Sequence, residues 1–385
     1  MKISVLRRPI LLGSFAFGFL SFALPVYSKQ LGANALEIGG LFSIFALTTA
    51  LVRPLVGWAM DRWGAKPFFV VALTGYALTM TIFALSSALP LLYLARLVQG
   101  IASSFMWISA YTLATSLLPD GSRGKAVGSV DESSAQGSLY GAFFGFTLIS
   151  TLPPEIGWKL IFGSYALLAV VGAWLAGRSV PAIRPTLAPN AASSHFEAGR
   201  LLRLMLIVGL TSASIAMLSP LLLIFLQDKF TTEVSTLALA YIPAALVSSF
   251  LPSRLGGLSD RFGRAPMMAL GLVGSGVLSF FLPGLPSLVW LIVLWTLEAL
   301  GWSMAAPAQE ALVADLTGSD VRGRGYGLYT FAASLGATMG PLLGGWLYDG
   351  FGHAVPFYLN GAVLIAGAIL VLLLLWRKPS LQFRS

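Results

Sequence analysis

The chain of 385 residues has no cysteine and only two histidines. Disulfide bonds and thiolate metal sites are therefore excluded, and no metal site or cofactor is expected. Charge is scarce as well. Asp, Glu, Lys and Arg make up 10% of the residues, with 15 acids against 24 bases. Ordinary soluble domains carry about 25% charged residues, so a fully water-covered fold is excluded. Alternating strands of about ten residues are missing, which excludes a membrane β-barrel. No Gly-x4-Gly-Lys-Ser/Thr phosphate loop occurs, since Gly124-Lys125 is followed by Ala126. Direct use of ATP is not expected.

What is there in abundance is apolar sequence. Hydrophobic residues make up 57% of the chain and mean hydropathy is +0.83. Runs of about 20 apolar residues recur, each long enough to cross a bilayer. Backbone polar groups in lipid must be satisfied within the segment, so these runs are helices. Twelve are predicted. In the first half they are Pro9–Tyr27, Glu37–Met60, Phe68–Ser87, Pro90–Leu118, Ala126–Leu152 and Trp158–Gly177. In the second half they are Leu201–Leu226, Val234–Leu258, Met267–Leu282, Leu288–Leu316, Tyr326–Tyr348 and Val355–Trp376. They are called spans 1 to 12 below. The first run follows Lys2, Arg7 and Arg8 and lacks a clear small-residue cleavage site, so it reads as a retained helix.

Residues 178–200 change composition, with Pro181, Pro185, Pro189, Arg178, Arg184 and Arg200. They read as a linker. The expected fold is an all-α integral membrane protein with twelve transmembrane helices in two six-helix bundles, residues 1–177 and 201–385. Three of the 24 bases, Lys29, Lys159 and Lys229, fall in loops on one side, and Arg53, Arg96 and Arg254 fall within spans. The rest lie on the other side, so both termini and the linker are placed in the cytoplasm. The same distribution accounts for the +9 net charge without nucleic acid.

A short charged loop occurs twice. Residues 57–67 read GWAMDRWGAKP and residues 256–266 read GGLSDRFGRAP. An offset of 199 relates Gly57 to Gly256, Asp61 to Asp260, Arg62 to Arg261 and Gly64 to Gly263. The same offset relates Arg123 to Arg322, and Gly137, Gly141 and Gly145 to Gly336, Gly340 and Gly344. Six spans per half make these parallel repeats about an axis along the membrane normal.

The two loops resemble the signature of the major facilitator superfamily between spans 2 and 3 and between spans 8 and 9. Arg96-Leu97-Val98-Gln99-Gly100 resembles the Arg-x-x-Gln-Gly motif of span 4 in proton-coupled members. Gly336-x3-Gly340-Pro341-x2-Gly344-Gly345 resembles the glycine-proline motif of drug antiporters, although it lies in span 11 and span 5 has Gly141-Ala142 instead. The resemblance implies a secondary transporter working by alternating access, with a cavity lined mainly by spans 1, 4, 7 and 10. It assigns gating to Gly57, Asp61, Arg62, Gly64, Lys66, Gly256, Asp260, Arg261 and Gly263. Asp61 is expected to face the N-terminus of span 11. Asp315 is expected to pair with Arg261 or Arg322 at the inner gate; Glu310 is left without a role.

Ionisable residues inside spans mark function by default. Asp131 and Glu132 lie about two turns into span 5, and at about 100° per residue Glu132 shares a face with Lys125, Ser129, Gln136, Tyr140 and Thr147. The glycine stripe takes the opposite face, as close helix packing requires. A carboxylate removed from water titrates nearer neutrality, so Glu132 and then Asp131 are the expected proton-coupling acids. Span 4 places Arg96, Gln99, Ser103, Trp107 and Tyr111 on one face; span 10 places Trp295, Glu298, Trp302 and Gln309 on the matched one. Together with Gln136 and Tyr140, these faces are the expected substrate cavity, Trp295 being the one read as an interfacial residue. His195 and His353 read as solvated loop residues.

The expected function is proton-coupled export of a small amphipathic or cationic compound across a bacterial-type inner membrane. Uptake of an organic anion or sugar, with Arg96 or Arg53 as ligand, is the alternative. A non-transporting membrane receptor is a second alternative, which the paired gate motifs disfavour. The expected partners are the substrate, protons and the lipid bilayer, with the protein a monomer.

Overall fold

The computed structural model describes residues 4–117, 123–182, 198–230, 262–317 and 322–375, with single positions or short pieces between 236 and 247. The described residues are helical and contain no strand. Span 1 is Ser4–Gly13 and Phe15–Gln30, joined at Ser14 by tightened turn hydrogen bonds to Ile10 and Leu11. Spans 2 to 6 are Ala35–Trp63, Ala65–Leu85, Leu89–Leu117, Arg123–Thr151 and Pro154–Ser179. Span 7 is Ala198–Lys229, and most of span 8 lies outside the described residues. Spans 9 to 12 are Arg264–Phe281, Leu288–Thr317, Arg322–Phe351 and Val355–Leu375. Among the described residues, nine helices are long and apolar enough to cross a membrane. Spans 5 and 11 fall outside that set because glycine and serine replace leucine along much of their length.

Local chemistry sets the ends of the elements. Asn34 caps span 2 by accepting from the Glu37 N–H at 2.8 Å, and Glu37 returns a bond to the Asn34 N–H at 2.9 Å. This is a capping box, which satisfies two otherwise orphaned donors. Span 2 runs through Asp61 and Arg62 to Trp63, so those residues form its last turn rather than a loop. The turn itself is Gly64, at φ 76°, and its repeat partner Gly263 is at φ 94°. A side chain is disfavoured there, which explains why both motif copies keep glycine.

The chain divides into two compact units, Met1–Ala188 and Pro189–Ser385. Both are packed to the same plan. Span 3 packs on spans 4 and 6 and span 1 on spans 5 and 6; span 9 packs on spans 10 and 12 and span 7 on spans 11 and 12. The glycine stripes set the distance of closest approach. A Cβ at Gly137 or Gly141 would collide with the Leu11 or Phe15 carbonyl of span 1. One at Gly336 or Gly340 would collide with the Gly209 or Ala213 carbonyl of span 7. Phe69, Leu73 and Met106 lie in the first unit's core, and Met268, Leu272 and Val313 in the second's. Outside these cores Phe143 is 77% exposed and Leu373 75%. Water would make such faces sticky, whereas lipid solvates them.

Candidate functional site

The polar face of span 4 forms, and its residues have two different surroundings. Arg96 and Gln99 are buried. Arg96 Nη1 donates to Gln99 Oε1 at 2.8 Å, and Arg96 Nε donates to the Leu41 carbonyl of span 2 at 3.0 Å. The guanidinium lies over the rings of Phe42 and Phe45, 4.8 and 4.5 Å from their centroids. Arg96 is therefore engaged with span 2 on several sides.

Farther along span 4 the residues converge on span 5. Ser103 is buried; Trp107 and Tyr111 are half-buried. Phe17 of span 1 meets Tyr76 of span 3 at 5.3 Å and Trp107 at 6.0 Å, and Trp107 meets Tyr111 at 5.9 Å. The Tyr111 hydroxyl then donates to Asp131 Oδ1 at 2.6 Å. An aromatic path thus ends on a carboxylate. Arg53 of span 2 lies within electrostatic reach of Tyr76 and Tyr111.

The two neighbouring acids of span 5 differ in their partners. Glu132 Oε1 accepts from Arg7 Nη2 of span 1 at 2.8 Å and from Gln136 Nε2 at 3.0 Å. Asp131 has Tyr111 and no ion pair among the described residues. Tyr140 is exposed. The Lys125 side chain lies outside the described residues.

The second unit replaces this chemistry at matched positions. Glu298 stands where span 4 has Gln99, and Trp295 where it has Arg96. The Trp295 ring packs edge-on against Tyr241, with centroids 4.0 Å apart. Glu298 is half-buried, and its backbone carbonyl accepts from the Ser275 hydroxyl at 3.4 Å. Its carboxylate has neither hydrogen bond nor ion pair among the described residues. Trp302 packs against the core. Gln309 is buried, and its Nε2 donates to the Tyr329 hydroxyl at 2.9 Å. That bridge joins spans 10 and 11 one residue out of register from the Tyr111–Asp131 bridge between spans 4 and 5.

Of the gating residues, Arg62 is exposed, Lys66 is half-buried, and Gly64 and Gly263 make the turns. Gly57, Asp61, Asp315 and Arg322 are helical, as is Glu310, and nothing of their side chains belongs to the described part. Gly256, Asp260, Arg261, Arg254 and His195 lie outside the described residues. His353 is exposed and stacks on Tyr348 at 4.2 Å.

A family model described as Major Facilitator Superfamily matches residues 10–203 and again residues 204–384. The chain belongs to the major facilitator superfamily. As a member it is a multi-pass membrane transporter and not an enzyme. It is 24% identical over 387 residues to Multidrug resistance protein 1 of Bacillus subtilis, covering 99% of this chain and 97% of that one. It is 28% identical over 399 residues to the class G tetracycline resistance protein of Vibrio anguillarum, covering 98% of each. Its fold is similar to a crystal structure of the nucleoside transporter NupG, with TM-score 0.78 and 14% identity over 97% of this chain and all of the other.

Several partners in this superfamily member escape sequence reading. Arg7 reads only as a basic flank, because the spacing between spans 1 and 5 carries no sign of the Glu132 pair. Tyr76 and Tyr329 sit in apolar or glycine-rich spans with no motif around them. Phe42 and Phe45, which hold the Arg96 guanidinium, likewise read only as part of an apolar run.

Proposed function

We propose that this transporter exports small amphipathic compounds, cationic ones among them, in exchange for protons. It does so by alternating access in a bacterial inner membrane, with both termini in the cytoplasm. Drug resistance is what the names of the two relatives carry, and export is how a membrane transporter would confer it. The observation that supports coupling is the Glu298 carboxylate, in the middle of span 10 and without a partner among the described residues. An isolated charge in a span is costly. That cost is relieved by a proton, and an acid that gains and loses one in each cycle ties substrate flux to the pH gradient. Asp131, which accepts from Tyr111 and has no other partner among the described residues, is the second acid in this scheme. Glu132 is exposed and paired with Arg7, and it takes no part in this scheme.

The test uses purified protein in vesicles with an imposed pH gradient and a fluorescent cationic dye. Wild type moves the dye against its gradient at the expense of the proton gradient. Glu298→Gln binds the dye but loses gradient-driven flux at least tenfold. Wild type that neither binds nor moves the dye at any pH rules out the reading.

A further inference from the structure

We infer that the first unit holds a subsite for an anionic oxygen, built on Arg53, so that its substrates include compounds bearing a carboxylate, phenolate or enolate. This rests on the transporter reading and adds to it a chemical feature of the cargo.

The subsite is defined by contrast among three arginines. Arg7 is paired with Glu132. Arg96 is engaged by Leu41, Gln99, Phe42 and Phe45. Arg53 has no such set. It lies inside span 2, its Nε is buried, and that N–H has no acceptor among the described residues. No carboxylate lies within ion-pair distance of its guanidinium among them either. A buried donor without an acceptor is costly, and an intramembrane cation more so. Both costs are removed by a ligand that brings an oxyanion, which a guanidinium binds in a planar fork.

The Tyr76 and Tyr111 side chains act on Arg53 electrostatically. Tyr76 is buried, and its hydroxyl has no hydrogen-bond partner among the described residues. Phe17 and Trp107 continue the aromatic surface to Tyr111.

The experiment measures binding of three naphthalene probes to wild type in lipid nanodiscs by tryptophan fluorescence. The probes are 2-naphthoate, 2-naphthamide and 1-naphthylmethylammonium. Wild type is expected to bind naphthoate at least tenfold more tightly than naphthamide. Arg53→Gln removes that preference and leaves naphthylmethylammonium within twofold; Arg53→Lys keeps part of it. Equal affinity for naphthoate and naphthamide in wild type overturns the inference without recourse to a variant. An equal loss of all three probes in both variants also overturns it, because Arg53 is then structural. The outcomes separate from those for export. Dye exchange with no naphthoate preference removes the subsite alone, and a naphthoate preference lost in Arg53→Gln without proton-driven flux removes the export reading alone.

Discussion

Residue by residue, the decisive property is whether a charge already has a partner. Arg96 reads from its motif as a ligand or coupling residue, yet its guanidinium is engaged with span 2. Arg96→Leu is expected to destabilise the protein by about 1–3 kcal/mol, the range for buried hydrogen bonds involving a charged group. Dye affinity should stay within twofold in the folded fraction. Thermal unfolding in detergent and a binding titration check the two halves of that statement. Glu132 is the matching case among the acids. With Arg7 already against it, Glu132→Gln is expected to transport with an unchanged pH profile. Asp131→Asn and Tyr111→Phe are expected to shift that profile together, because they share one hydrogen bond.

Among the elements, glycine decides how the helices meet. The stripes of spans 5 and 11 are legible in the sequence because they recur at the common offset, and both stripes lie on partner backbone. Gly141→Ala is expected to lose the well-folded species on size exclusion, since its Cβ would meet the Phe15 carbonyl. Gly163→Ala should be silent, because nothing lies within 4 Å of a Cβ there. Gly64→Ala places a side chain at φ 76° and is expected to cost about 1–2 kcal/mol, read as a lower melting temperature. Most of the architecture was legible for this reason: apolar runs and the repeated glycines are local signals. The length of span 2 was less so. The charged Asp61 and Arg62 resemble a loop in sequence, but a helix ends where its backbone turns, and that is Gly64. The pairing of Arg7 with Glu132, and of Arg53 with no acceptor, depends on how helices distant in sequence rotate against one another. No local pattern encodes that rotation.

In the whole molecule, two units share one packing plan and differ in the chemistry placed on it. The matched bridges, Tyr111 to Asp131 and Gln309 to Tyr329, tie span 4 to span 5 and span 10 to span 11. Where the plan repeats, it is proposed to serve motion. Asp61→Asn is accordingly expected to lower flux while leaving equilibrium binding of the dye intact, a split that parallel transport and binding assays resolve. Where the plan departs from itself, at Arg96 against Trp295 and Gln99 against Glu298, one unit has a satisfied cation and the other an acid with no partner among the described residues. Exchange of protons for cargo is proposed to turn on that difference. The most direct measurement is dye flux in vesicles as a function of the imposed pH gradient, with wild type and Glu298→Gln side by side at matched protein content. Coupling through Glu298 predicts flux that rises with the gradient in wild type and is flat in the variant, with dye binding retained in both. A variant whose flux follows the gradient as steeply as wild type would contradict it.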